Sequence, residues 1–352
     1  MGAEATAAAS PRRARIALFD NLKGMLIILV VFGHIAHPIH NDNAALSAAF
    51  DIIYLFHMPL FVLTSGLFAK GAYRAGRLNV NRIISYAVLG LAFQAALLAV
   101  NGVLLAHPER LLRFTSAPWY LIAMAWWYLA TPVLAHMKPA RGIALTALIA
   151  LASGCIDLSS GILALGRALA FLPWFALGYY LTPAALERLR ARRILWLCVG
   201  AAAAIGALRL MDAHAFDGFF TLVYGDNPYP GLGRGPIGTV VADGIAARLI
   251  TWVIAGIFSL ALLKIAPAGD SWLTTLGRRT LPVYVVHRLV RAWLTFHTPF
   301  YDPAIMLDPV FGTLAVALVT AGATALGALP AIARPLSGVL KVTWLPASPK
   351  RS

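Results

Sequence analysis

The sequence is short of charge, of acidic residues and of cysteine. Only 12% of its 352 residues are charged, and Asp plus Glu number 14. A soluble domain carries about 25% charged residues. So little charge excludes an ordinary globular enzyme, and the accompanying apolar excess excludes a disordered or fibrous chain. The two cysteines, Cys155 and Cys198, lie in apolar segments without partner spacing. They provide no disulfide framework and no CxxC metal site, and read as small core side chains. The sequence also lacks an HExxH, a GxSxG and a Gly-rich phosphate loop. Long linkers, low-complexity tracts and a clear internal repeat are missing as well.

What is abundant is apolar sequence. Hydrophobic residues make up 60% of the chain. Runs of about 20 such residues cross a bilayer as helices. Ten are present, at 17–38, 48–69, 82–105, 117–136, 142–159, 163–181, 194–211, 240–263, 281–298 and 309–333. Their Gly and Ala content suits close helix packing in lipid. The expected fold is an all-α, polytopic integral membrane helical bundle of about ten transmembrane helices. The expected organisation is a tail at 1–16, one membrane domain at 17–335 and a tail at 336–352. The first run follows Arg12, Arg13 and Arg15, is full length and lacks a small-residue cleavage site, which favours a retained span over a cleaved signal. The start Met1-Gly2-Ala3-Glu4-Ala5-Thr6 fits the myristoylation pattern, but a pattern so short is met by chance.

The distribution of Lys and Arg tests this plan. Segments 1–16, 70–82, 137–141, 182–193, 264–279 and 334–352 hold 20 of the 29, whereas the alternate loops hold only Arg110, Arg113, Arg209 and Arg234. Cytoplasmic loops carry the positive excess, so both termini are expected in the cytoplasm. The net charge of +15 is thereby spread over short loops, and needs no nucleic acid to explain it. Ala- and Arg-rich usage without sorting signals points to a bacterial inner membrane. The longest polar stretch, 212–239, holds Asp212, His214, Asp217 and Asp226, and can be a binding lid or an inert loop.

Charged residues inside spans are costly and usually face a functional interior. In the first span Asp20, Lys23 and His34 fall within about 60° of one another, with Lys23 and His34 separated by about 16 Å of rise. The bland alternative is a snorkelling Lys23, a capping Asp20 and an interfacial His34. In the second span His57 sits near mid-membrane beside Pro59, and can be catalytic or simply tied to a nearby carbonyl. The ninth span carries Thr280, Tyr284, His287, Arg288, Arg291, Thr295 and Thr298 at spacings of 4, 3, 1, 3, 4 and 3, a polar stripe that must face water, ligand or polar partners. A surface-lying amphipathic helix is the other reading. Arg167, and Asp243 with Arg248, add further intramembrane charge. The last two can pair with each other or serve a site.

A histidine near an acid is a candidate general base, and arginines hold phosphates or other anions. The expected cytoplasmic residues Arg74, Arg77 and Arg82 can meet a phosphorylated donor or be ordinary positive-inside charge. The residues alone therefore fit a membrane transferase, and equally a proton-coupled transporter.

Four motifs carry a resemblance. They are Lys23 with His34 eleven residues on, and Phe56-His57-Met58-Pro59-Leu60-Phe61 running to Ser65-Gly66. The others are Arg167 through Phe171-Leu172-Pro173-Trp174-Phe175 to Gly178-Tyr179, and Leu276-Gly277 followed by Tyr284 and His287. Pro118-Trp119-Tyr120-Leu121 adds a fifth point. In order and spacing, over about 15–335, the chain resembles acyltransferase family 3, in particular its fucose 4-O-acetylase-like branch. The resemblance implies transfer of an acyl group, usually acetyl, from cytoplasmic acyl-CoA to a carbohydrate or surface-glycan hydroxyl, with no metal. It implies that His34 is the principal catalytic histidine and Lys23 its donor-facing partner. Lysine stands where many relatives have arginine, which forfeits bidentate phosphate geometry.

In the mechanism this suggests, His34 takes the proton of a sugar hydroxyl and Asp20 orients Lys23. His57, or His287 with Tyr284, then stabilises the oxyanion or positions the acceptor. A covalent acyl-histidine is the rival route. Donor contacts are expected from Lys23, Arg74, Arg77 and Arg82. Acceptor contacts are expected from Arg167, Arg248, Arg288, Arg291 and Trp119. The rival function is a transporter or flippase for a glycan or lipid-linked sugar, which usually shows inverted repeats.

Overall fold

The computed structural model describes residues 11–346, with backbone alone for 11–16. The myristoylation pattern and the ends of both tails lie outside the described residues. Among the described residues there are fourteen α-helices: α1 Pro11–Ala36, α2 Ala44–Leu67, α3 Val80–Val100, α4 Trp119–Ala135, α5 Pro139–Ser153, α6 Leu165–Ala170, α7 Leu172–Tyr180, α8 Pro183–Ala191, α9 Leu195–Met211, α10 Ile237–Ile265, α11 Trp272–Gly277, α12 Thr280–His297, α13 Phe311–Ala328 and α14 Pro330–Val339. Between α2 and α3 lies a hairpin of two-residue strands, β1 Tyr73–Arg74 and β2 Arg77–Leu78. Its turn residues Ala75 and Gly76 both have positive φ, as a two-residue hairpin turn demands.

Each of the ten expected runs contains helix, but not all in one form. Among the described residues, five helices are long and apolar enough to cross a membrane: α1 from Ala17, α2, α3, α10 and α13. A sixth span is available if α8 and α9, bent by 80° at their junction, count as one. α4 and α5, with 17 and 15 residues, are shorter apolar helices. The expected sixth span is divided at Phe171 into α6 and α7, with Pro173 at the start of α7, where its missing N–H is harmless. α12 owes its low apolarity to the polar stripe. Outward-facing Leu148, Leu197, Val253 and Leu318 are all more than 60% exposed, an apolar coat that suits lipid better than water.

Local chemistry sets the helix ends. The Asn43 carboxamide caps α2 by accepting from the Leu46 N–H, while its amide donates to the Met306 and Asp308 carbonyls ahead of α13. Asn21, wholly buried in α1, donates to the Pro267 and Gly269 carbonyls and accepts from Ser271 and Thr274, the capping box of α11. This docks α11 beside the start of the first span. α2 and α7 cross at a reciprocal glycine contact. A Cβ on Gly66 would strike the Phe175 carbonyl, and one on Gly178 the Leu63 carbonyl. That approach brings α7 onto α2, which also packs on α1 and α10, while α12 packs on α1, α3 and α13. Histidine-bearing α1, α2 and α12 thus converge, with α4 and α6 closing the remaining sides.

Candidate active site

Two neighbouring hollows lie among these helices. The first, of about 140 Å³, is lined by His34, Tyr54, His57, Trp119, Arg167, Tyr224, Tyr284, Arg288 and Arg291. The second, of about 250 Å³, is lined by Lys23, Ser65, Arg82, Tyr86, Tyr120, Tyr128, Thr280 and Tyr284. Met58 and Tyr284 line both. For convenience these are the histidine chamber and the tyrosine chamber.

His34 on α1 and His287 on α12 stack with ring centroids 5.0 Å apart, and His34 Nδ1 lies 2.8 Å from His287 Nε2. His287 is fully buried, and its Nδ1 lies 3.0 Å from the Val283 carbonyl one turn back. His57 repeats that local bond, with Nδ1 2.8 Å from the Ile53 carbonyl. The His57 bond is the carbonyl tie that the sequence allowed, and the residue also lines the histidine chamber. Tyr54, one turn before His57, packs edge-on against the rings of both His34 and His57. Tyr54 was not among the residues expected at the site; its only signal in the sequence is an aromatic three residues before His57.

The arginines differ in how they are held. Arg167 pairs with Asp226 at 2.7 Å, donates to the Tyr224 and Thr115 carbonyls and lies over the Trp119 ring. Asp226 and Tyr224 belong to the 212–239 stretch, so part of that segment forms chamber wall. Burial raises the Asp226 carboxyl from its ordinary value, against the pull of Arg167. Arg288 donates from Nε to Ser116 Oγ at 3.0 Å, but its Nη1 is buried without a hydrogen-bond partner. Arg291 Nη2 lies 3.4 Å from His37 Nδ1. Neither Arg288 nor Arg291 has an ion-pair partner among the described residues. Tyr284 is spent on a hydrogen bond to the Ala117 carbonyl.

At the tyrosine chamber, buried Asp20 accepts from Lys23 Nζ at 2.7 Å and from Arg278 Nε at 3.1 Å. Arg278 is a partner the sequence did not reveal. Lys23 also lies over the Phe68 ring. Arg82 donates to the Leu340 carbonyl at 2.6 Å. It also lines an adjoining polar hollow of about 360 Å³ with Asn79, Asn81 and Lys341.

Three expectations need correction. Arg248 lies in neither chamber: it donates to the Ala150 carbonyl and Ser153 at the end of α5, and covers the Tyr229 ring. Cations are favoured at helix C-termini, so the burial of Arg248 is satisfied there. It does not pair with exposed Asp243, because five residues along a helix turn the two side chains to different faces. Arg74 and Arg77 face each other across the exposed hairpin and line neither chamber. Cys155, expected as core filler, is exposed just beyond α5. No group of three or more His, Cys, Asp or Glu among the described residues could hold a metal ion.

Comparison with known proteins agrees with these motifs. The family described as "Acyltransferase domain" matches residues 16–328. The chain is similar to Nodulation protein NolL of Sinorhizobium fredii, with 34% identity over 131 residues, 33% of this chain and 36% of that relative. It is also similar to Nodulation protein NolL of Mesorhizobium japonicum, with 46% identity over 57 residues, 15% of each. The matched stretches thus span well under half of these curated relatives. No solved structure matches. With its motifs in order and the family match running through nearly all of its helices, the chain belongs to acyltransferase family 3.

Proposed function

We propose that this protein is a membrane O-acyltransferase that moves an acyl group, acetyl in the first instance, from acyl-CoA to a hydroxyl of a carbohydrate or surface glycan. The observation that carries the reading is the placement of His34. It lines a chamber of bases and arginines that shares Met58 and Tyr284 with a second, larger chamber lined mostly by hydroxyl-bearing and apolar side chains, with Lys23 and Arg82. A thioester entering through one chamber and an alcohol through the other would meet beside that histidine. Holding both reactants there converts a bimolecular encounter into an oriented one.

In this reading the ten helical segments cross the bacterial inner membrane, with both termini in the cytoplasm. The tyrosine chamber then opens toward the cytoplasm, because Lys23, Arg82, Arg278 and the Arg74–Arg77 hairpin gather at its end. Asp20 holds Lys23 at the rim, and Lys23, Arg82 and Lys341 offer cations to the phosphates of the donor. The histidine chamber receives the acceptor, with Trp119 and Arg167 in its wall. His34 Nε2 takes the hydroxyl proton as the oxygen attacks the thioester carbonyl, and returns it to the departing thiolate.

The test is turnover by purified protein given labelled acetyl-CoA and a panel of glycosides headed by methyl fucoside. Release of free CoA together with a labelled sugar is expected; a transporter would release none. His34→Ala is expected to lower kcat by about 100-fold or more, the usual span for a lost general base. A folded His34→Ala protein with wild-type turnover would sink the assignment.

A further inference from the structure

We infer that Arg288 is the catalytic electrophile of this site, its Nη1 holding the oxyanion that forms on the acyl carbonyl. The inference rests on the acyl-transfer reading above, with His34 as base.

The argument starts from hydrogen counting. A backbone carbonyl can only accept, so the Val283 carbonyl requires a hydrogen on His287 Nδ1. Neutral His287 then has a bare Nε2, and the 2.8 Å contact with His34 requires that His34 Nδ1 carry the hydrogen. His34 Nε2 is left as a lone pair. The Ile53 carbonyl imposes the same state on His57, whose Nε2 is also bare. His34 and His57 therefore present lone pairs, not N–H donors, at Nε2, while His37, which also lines the chamber, accepts from Arg291 at Nδ1. Tyr284 is likewise removed as a donor, since its hydroxyl is engaged by the Ala117 carbonyl. The oxyanion roles that sequence suggested for His57, His287 and Tyr284 fit this arrangement poorly.

A tetrahedral intermediate needs a donor at its oxygen, and a fixed donor out of water is worth most there. Arg288 follows His287 directly on α12 and lines the chamber that His34 lines. It is 9% exposed, its Nε is anchored to Ser116, and its Nη1 is the one guanidinium nitrogen of the chamber arginines that is buried and unpartnered. A buried donor without an acceptor is unfavourable and is seldom kept without a use. Arg167, by contrast, is neutralised by Asp226. The uncompensated charge of Arg288 is relieved when negative charge develops beside it.

The full step balances. The acceptor oxygen forms a bond to the thioester carbon, and its proton passes to His34 Nε2. The carbonyl π pair moves onto the oxygen held by Arg288 Nη1. When that pair returns, the C–S bond breaks, the thiolate takes the proton from His34, and ester and free thiol result.

Arg288→Gln, Arg288→Lys, Arg288→Ala and Tyr54→Phe, each purified in detergent, are compared with wild type using labelled acetyl-CoA and methyl fucoside. Elution position and thermal unfolding check the fold. Arg288→Gln is expected to lower kcat about 100-fold or more, the range for one oxyanion donor, with KM for both substrates within about threefold. Arg288→Lys keeps charge at the site and should retain more activity, and added guanidine should restore part of the Arg288→Ala rate. Should Arg288→Gln fail to fold, the Lys variant and the guanidine rescue decide. The proposal is overturned if kcat stays within about threefold, if the loss falls on the acceptor KM, or if Tyr54→Phe takes the loss instead. A His34→Ala protein with wild-type turnover would instead remove the underlying reading, so the two failures are distinct.

Discussion

The two chambers share a wall and differ in almost everything else. The histidine chamber holds ring nitrogens and guanidinium groups, two of them without a counter-charge, in the smaller volume. The tyrosine chamber is larger and lined by hydroxyls and apolar side chains, with cations only at its rim. Hydroxyl-bearing aromatic walls tolerate a long, mixed-polarity molecule without binding one part of it tightly. Uncompensated cations, in contrast, are useful only where negative charge appears. The histidine chamber thus holds guanidinium groups without a counter-charge, whereas Lys23 of the tyrosine chamber is matched by Asp20.

That contrast can be broken from either side. On the histidine side, His287→Leu removes the acceptor that fixes the His34 tautomer. It should lower kcat by roughly 10- to 100-fold, because efficient general-base catalysis needs the correct nitrogen bare. His287→Gln returns an acceptor oxygen near the Nε2 position and should recover a good part of the loss. Steady-state kinetics of the pair, with ¹⁵N-histidine NMR of the tautomer, checks this. If Leu and Gln behave alike, the pairing is only packing. At the other chamber, Lys23→Gln should raise KM for acetyl-CoA several-fold and leave kcat nearly unchanged, as loss of uniform binding does. A fall in kcat alone would move Lys23 from the donor's grip to the chemistry. The smallest effect is expected at the hairpin. Arg74→Ala with Arg77→Ala should change either constant by less than about twofold, because exposed cations contribute little. A larger change would show that the donor reaches beyond the chamber rim.

Much of this arrangement was legible beforehand. The stripe from Thr280 to Arg291 announced an inward face on α12, and the common face of Asp20, Lys23 and His34 put two charges and an imidazole on one side of α1. The break at Phe171 was less visible, because the apolar run is continuous through it and only Pro173 marked the place. Arg248 could not be placed from sequence, because a cation resting on helix carbonyls and a cation facing a cavity look identical there. Asn21 went unnoticed because its partners Pro267, Gly269, Ser271 and Thr274 are some 250 residues away.

Periodicity and composition alone decided that the chain must hide its backbone in helices and turn its few charged stripes inward, since lipid solvates neither. Packing decided the rest. Whether an imidazole nitrogen holds a proton or a lone pair, and whether a guanidinium is matched or left wanting, depends on the neighbour across the interface. Residues as distant in the chain as 34 and 287 become such neighbours only when the helices close on one another.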